Sequence, residues 1–262
     1  MSYIGVRRAA RSRLWTPRDL GTTLAAWFDS RDTSSITTAS SGTKISAWRD
    51  KSGRGNNLSQ GTSGNQPLNL NPPAVQSNSG QLIGASSNPN LPIGTADRSI
   101  IFVSSTYSGR STRQIVAFWG ATSSGSGFGY SFNTTSGSTL NYSGYNGATY
   151  YGPSTASYPV VTNTTQLTSM AASGQNVIFN GNGTQVFSGA MTYNTTSGTL
   201  YVFNLAGDAN GFQGLLYELI ILSTASPNIV SRVEGHLAWK WGIQNLLSST
   251  HQYAFAPPRW SA

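Results

Sequence analysis

The chain has 262 residues, a formal net charge of +8, no cysteine and eight carboxylates, only two of them glutamates. Acid–base chemistry, glycosidic hydrolysis and hard-metal binding draw on clustered Asp and Glu, so this composition argues against an enzyme and against a metal or cofactor. Charged residues make up 9% against about 25% in typical domains, and aromatics reach 11%, which favours an all-β domain and is no signature of disorder.

Residues 1–20 read as a basic arm: Arg7, Arg8, Arg11, Arg13 and Arg18 face Asp19 alone. Such an arm is either a solvated terminus or a docking element for an acidic partner, because the guanidinium fork suits carboxylates and phosphates equally. The rest of the positive charge is spread thinly over residues 21–262, with no basic stripe among aromatics, so nucleic-acid binding by the body is not expected. The N-terminus has no apolar signal region, and no apolar run approaches the roughly 20 residues needed to span a bilayer. A soluble product made in a cytoplasm, with no membrane partner, is the expectation.

From residue 22 the chain reads as short strands divided by Gly, Asn, Ser and Pro clusters. Residues 24–29 and 44–50 are the first two strands, and 51–97 read as long loops and edge strands. Residues 99–104 and 114–119 are near-continuous apolar runs, as in central sandwich strands. Phe128, Tyr130 and Phe132 share one face of the next strand, and Asn182-Gly183 supplies the turn of a hairpin over 175–187. Residues 199–204 and 214–222 complete roughly a dozen strands, which predicts a two-sheet antiparallel sandwich. One short C-terminal helix is predicted: Ser226 as cap, Pro227 in the first turn, Val230, Val233, Leu237 and Trp241 on one stripe, and Gly242 as stop. Trp239, off that stripe, is expected to pack under the tail or to face a neighbouring subunit, and the tail 251–258 to run extended.

Three segments carry a resemblance. Residues 24–32 form a Trp-led strand with Asp29-x-x-Asp32; residues 48–56 read W-R-D-K-S-G-R-G-N; residues 234–242 read E-G-H-L-A-W-K-W-G. With the strand 214–222 and the tail 251–258, these resemble the concanavalin A-like, laminin G-like jelly-roll domains of phage virion structural proteins. The motifs bracket residues 24–258, whereas the middle matches only in style. The resemblance implies a jelly roll, a homo-oligomer and a non-enzymatic place in a virion (capsid decoration, head fibre or tail-fibre module), with a major capsid or tail protein as partner. The Arg-rich leader lies outside the pattern, and its anchoring role rests on charge.

Some jelly-roll relatives hydrolyse β-glucans with a Glu-x-Asp-x-(x)-Glu strand, and nothing here matches it. Glu218 has no second acid fewer than ten residues away and is expected to face solvent or pair with an arginine. Asp29 and Asp32, with Asp50, form the one acidic cluster a Ca²⁺ could use, although turn capping and pairing with Arg31 or Arg49 is the default reading. His236 is expected on the helix surface and His251 as a hydrogen-bonder of the tail. Tyr142, Tyr145, Tyr150, Tyr151 and Tyr158 lie among Asn, Gly and Ser. They read as a glycan-stacking surface, a subunit interface or ordinary packing. Host glycan recognition by a carbohydrate-binding adhesin is the alternative function.

Overall fold

Gln213–Leu222 is the strand around which the fold is arranged. In the computed structural model the described residues are 13–39, 42–71, 73–78, 80–84, 90–108, 113–123, 125–134, 140–152, 160–205 and 211–260. Among them, one sheet runs in the order Thr184–Ala190, Asn176–Gly181, Gln166–Ser173, Arg98–Thr106, Gln213–Leu222, Ala74–Asn78, Leu68–Leu70. Leu24–Asp29 also pairs with Gln213–Leu222, alongside residues 218–222. The second sheet runs Tyr150–Tyr151, Leu140–Tyr145, Gly127–Thr134, Gln114–Gly120, Leu200–Val202, Leu82–Ile83, Leu58–Ser59, Ile45–Trp48, Ile36–Thr38. The strand pairs in these ladders are antiparallel, and the two sheets with one C-terminal helix make an all-β sandwich.

The apolar runs make sense from both faces of the first sheet. Ile100, Phe102, Leu219 and Ile221 point into the core between the sheets, where Phe28, Trp48, Trp119 and Tyr130 meet them. Ile101, Val103, Ile220 and Leu222 point outward, and the helix Pro227–Trp241 covers them with Val230, Val233 and Leu237. A strand buried on both faces loses its polar alternation, which is why these segments read as continuous apolar runs. Aromatic pairs fill the inter-sheet core edge-on, with Phe102 and Tyr130 at 4.9 Å between centroids.

The hairpin turns where expected, with Asn182 at φ 51° and Gly183 at φ 73°. The helix ends on Gly242 in the left-handed region, its N–H bonded to the Ala238 carbonyl, while the Ser226 side chain makes no capping bond. The tail is not extended. It folds into turns through His251 N–H to Ser248 O and Ala254 N–H to His251 O. Tyr253 packs on Gly235, where an added Cβ would lie 2.5 Å from the Tyr253 Cβ, and the Trp239 indole donates to the Tyr253 carbonyl. Residues 13–20 are part of this body: Trp15 is buried against the helix, and Leu14 bridges to Arg259.

Arg98 is fully buried, with no carboxylate partner in hydrogen-bond reach among the described residues. Its guanidinium donates to the carbonyls of Pro92, Ile93, Gly94 and Ala96 and to the Thr195 hydroxyl, and it lies among the Trp119, Phe128 and Tyr193 rings. Burial pulls its pKa down to about 10, still far above neutrality. Arg98→Met leaves the buried Pro92 carbonyl and Thr195 hydroxyl without this donor, and urea unfolding is expected to show a loss of about 2–3 kcal/mol. A loss below about 1 kcal/mol would show that the loop does not depend on this charge.

Candidate functional site

Asp29 and Glu218 stand directly opposite each other in the Leu24–Asp29 ladder. The last turn of the helix lays Lys240 across them: its Nζ lies 2.8 Å from Asp29 Oδ2 and 2.6 Å from Glu218 Oε2. The Trp27 indole N–H donates to Glu218 Oε1 at 2.7 Å and that of Trp241 to Oε2 at 2.8 Å. Lys51 Nζ continues the chain outward, 2.7 Å from Asp29 and 3.0 Å from Asp32, and rides 4.4 Å over the Trp27 ring. Arg31 closes the top, stacked on Trp241 at 4.2 Å and donating to the Lys240 carbonyl.

Burial pushes the Asp29 carboxyl up, but Lys240 and Lys51 outweigh it and hold the group below its ordinary value. Burial pushes Glu218 above its ordinary value, with Lys240 opposing. The expectation that Glu218 faces solvent or meets an arginine is therefore corrected. It is fully buried, and its counter-ion is a lysine. Arg31 and Arg49 likewise do not pair with the aspartates; Arg49 donates to the Ser34 carbonyl. The signal available in the sequence was the lysine count. Only three lysines occur, and two of them, Lys51 and Lys240, sit inside the recognised motifs.

The W-R-D-K-S-G-R-G-N segment is a turn welded to the first strand. Asp50 Oδ1 accepts from the Trp27 and Ser52 amides, and Oδ2 from the Ser52 hydroxyl and the Asn56 amide. Gly53 and Gly55 take φ 81° and 80°, a region that side chains disfavour. Asn56 Nδ2 donates to the Ala25 carbonyl. This turn, the 3₁₀ segment Pro17–Thr23 and the loop at 32–35 enclose an open cleft of about 810 Å³. Arg18, Arg49, Lys51 and Arg54 line it together with Asp32 and Asp50, and Thr22, Ser34 and Ser52 add hydroxyls.

The anticipated site residues fall apart in space. Arg7, Arg8, Arg11 and Tyr158 lie outside the described residues. Arg13 forks onto Asp19, with Nη1 at 2.9 Å, and lies over the Trp260 ring. Arg18 lines the cleft. Tyr142 is buried in the inter-sheet core, and burial pushes its hydroxyl up to about 12. Tyr145 is buried too, stacked on Tyr150 at 4.6 Å under the Arg113 guanidinium, and its hydroxyl donates to the Gly147 carbonyl. The Tyr151 hydroxyl accepts from Asn146. These tyrosines pack at one edge of the second sheet, and the cleft lies toward the opposite edge.

The two histidines are half-buried. His236 is not a plain surface residue: Trp15 meets its ring at 5.8 Å, and burial pulls its pKa down to about 4. His251 Nε2 lies 3.3 Å from both Glu234 Oε2 and Ser231 Oγ, a grouping of serine, histidine and acid. The geometry does not make a charge-relay site. His251 Nδ1 accepts from the Tyr253 amide, so the proton sits on Nε2 and no lone pair faces the serine.

No protein-family model matches the chain, and no curated protein sequence does. Solved structures do. A GH54 α-L-arabinofuranosidase soaked with a cyclic sulfate inhibitor aligns with TM-score 0.62 and 15% identity over 84% of this chain and 64% of its own. An arabinofuranosidase complexed with arabinofuranosyl-α-1,2-xylobiose gives 0.59 and 15% over 87% and 60%. Trypanosoma rangeli sialidase in complex with sialic acid gives 0.55 and 8% over 83% and 33%. This chain thus spans less than two thirds of each of those proteins. The shared feature is the jelly-roll-like β-sandwich, in a form that carbohydrate-acting proteins use.

The exclusion of enzymes drawn from the carboxylate count does not stand. Glycoside hydrolases carry this fold, and folding brings Asp29 and Glu218 together although they are remote in sequence. The virion setting, its capsid or tail partners and the homo-oligomer rest on the sequence resemblance alone.

Replacing Lys240 by Met leaves two buried carboxylates facing each other under the helix end. The expected loss in chemical denaturation is about 3–5 kcal/mol. The variant Glu218→Gln with Lys240→Met, which removes one charge of each sign, should recover part of it. Equal losses in the single and double variants would argue against a coupled pair.

Proposed function

We propose that this chain is a carbohydrate-recognition β-sandwich whose ligand sits in the cleft between residues 17–23, 32–35 and 49–57. The observation that carries the reading is the cleft itself. At about 810 Å³ it is of the size of known small-ligand pockets, and it is lined by guanidiniums that donate to sugar hydroxyls and ring oxygens and by Ser and Thr hydroxyls whose oxygens accept from sugar hydroxyls. Its wall is pre-organised, because Asp50 and the two left-handed glycines fix the turn before any ligand arrives. Binding to such a wall spends little on ordering. The fold shared with an arabinofuranosidase and a sialidase supports the same class of ligand. Tyr142, Tyr145, Tyr150 and Tyr151, by contrast, have their rings turned inward or onto one another.

Thr22 is exposed and lines the cleft, so Thr22→Trp fills it without touching the core. On a glycan array followed by calorimetry, the native protein is expected to bind a defined set of oligosaccharides, and Thr22→Trp to weaken them at least about tenfold. Tyr150→Ala should leave the affinity unchanged, and release of reducing ends in the same samples reports turnover. Binding lost in Tyr150→Ala but kept in Thr22→Trp would move the site to the tyrosine edge. No binding to any glycan would refute the reading.

A further inference from the structure

The charge of the cleft is unevenly used. Asp50 has both oxygens engaged by four donors, three inside its own turn and the fourth the Trp27 amide of the first strand. Asp32 accepts from the Ser34 hydroxyl at 2.6 Å and meets Lys51 at 3.0 Å. Lys51 is spent in turn on Asp29 and Asp32, and Ser34, which backs Asp32, also supplies the carbonyl that takes Arg49. Arg18 and Arg54 differ: among the described residues neither guanidinium meets a carboxylate or a hydrogen-bond acceptor. Both line the cleft, Arg18 exposed on the 3₁₀ segment and Arg54 half-buried between the two left-handed glycines. Two unspent guanidiniums from two separate elements, facing one cavity whose carboxylates already have partners, create a positive field with donors left to give.

From this we infer that the cleft selects glycans bearing an anionic group, a carboxylate or a sulfate, which Arg18 and Arg54 clasp while the hydroxyl-lined wall holds the sugar ring. The inference rests on the cleft being the ligand site and adds the ligand's charge. Planar guanidinium forks favour oxyanions over neutral hydroxyls because charge-assisted bonds to carboxylate or sulfate are shorter and about twice as strong as neutral ones. Arg49 and Lys51, though engaged within the protein, raise the potential in the same cavity.

The test compares matched ligands by calorimetry: trigalacturonate against its methyl ester for the carboxylate, and 6-sulfolactose against lactose for the sulfate. An acidic ligand is expected to bind at least about tenfold tighter than its neutral partner and to weaken as salt rises from about 50 to 500 mM. Arg18→Gln with Arg54→Gln should bring its affinity down to that of the neutral partner. Which pair shows the difference identifies carboxylate or sulfate as the recognised group. Equal binding of acid and ester, and of sulfolactose and lactose, would overturn the inference while leaving glycan recognition standing. Binding of none of the four, together with an empty glycan array, would remove both. A preference for acid that survives the double Gln substitution would place the anion elsewhere.

Discussion

One lysine ammonium shared by two buried carboxylates holds the most distant parts of this chain in register. Lys240 comes from the helix end, Glu218 from the central strand and Asp29 from the first strand. Desolvating three charges is costly, and the cost is offset only because every partner is present: two indole donors on Glu218 and a second ammonium on Asp29. The ladder is thus directional. It begins in a dry interior and, through Lys51 and Asp32, ends at the wall of the cleft. The helix, the first strand and the cleft turn are locked by one set of contacts, so the shape of the cleft is inherited from the core.

The architecture was largely legible. Strand runs, the Asn182-Gly183 turn and the Pro227–Trp241 helix with its Gly242 stop follow from periodicity and turn chemistry, which act locally. Glu218 was not. In the run 215–222 it reads as the polar break that marks a solvent face, yet the flanking Leu216, Leu219, Ile220 and Ile221 are buried on both faces of the sheet. A carboxylate within a strand covered on both sides has to find a partner, and that partner lay on the helix, outside any local window. His236 was misplaced for the same reason, since the residue that covers it, Trp15, comes from the arm.

The tyrosine cluster and the cleft show where composition stops informing about sites. Tyr among Ser, Asn and Gly suits stacking, interfaces and packing alike, and only burial separates them. Tyr142 and Tyr145 are inside, and Tyr150 is stacked on Tyr145. The cleft gave no such cluster. Arg18, Arg49 and Arg54 are scattered singly and meet only after the W-R-D-K-S-G-R-G-N turn docks on the 3₁₀ segment. The motif itself was visible, and the fold explains it residue by residue: Trp48 in the core, Asp50 and Asn56 as ties, Lys51 as counter-ion, Gly53 and Gly55 for their backbone angles. Carboxylate scarcity was read too strongly, because a fold can gather rare acids from distant strands.

The central claim is that ligand engages a cleft pre-built by the buried ladder. Hydrogen exchange, followed by mass spectrometry with and without an oligosaccharide found to bind, tests it most directly. The account predicts added protection at residues 17–23 and 49–57, with residues 140–152 unchanged. Protection confined to 140–152 would contradict it.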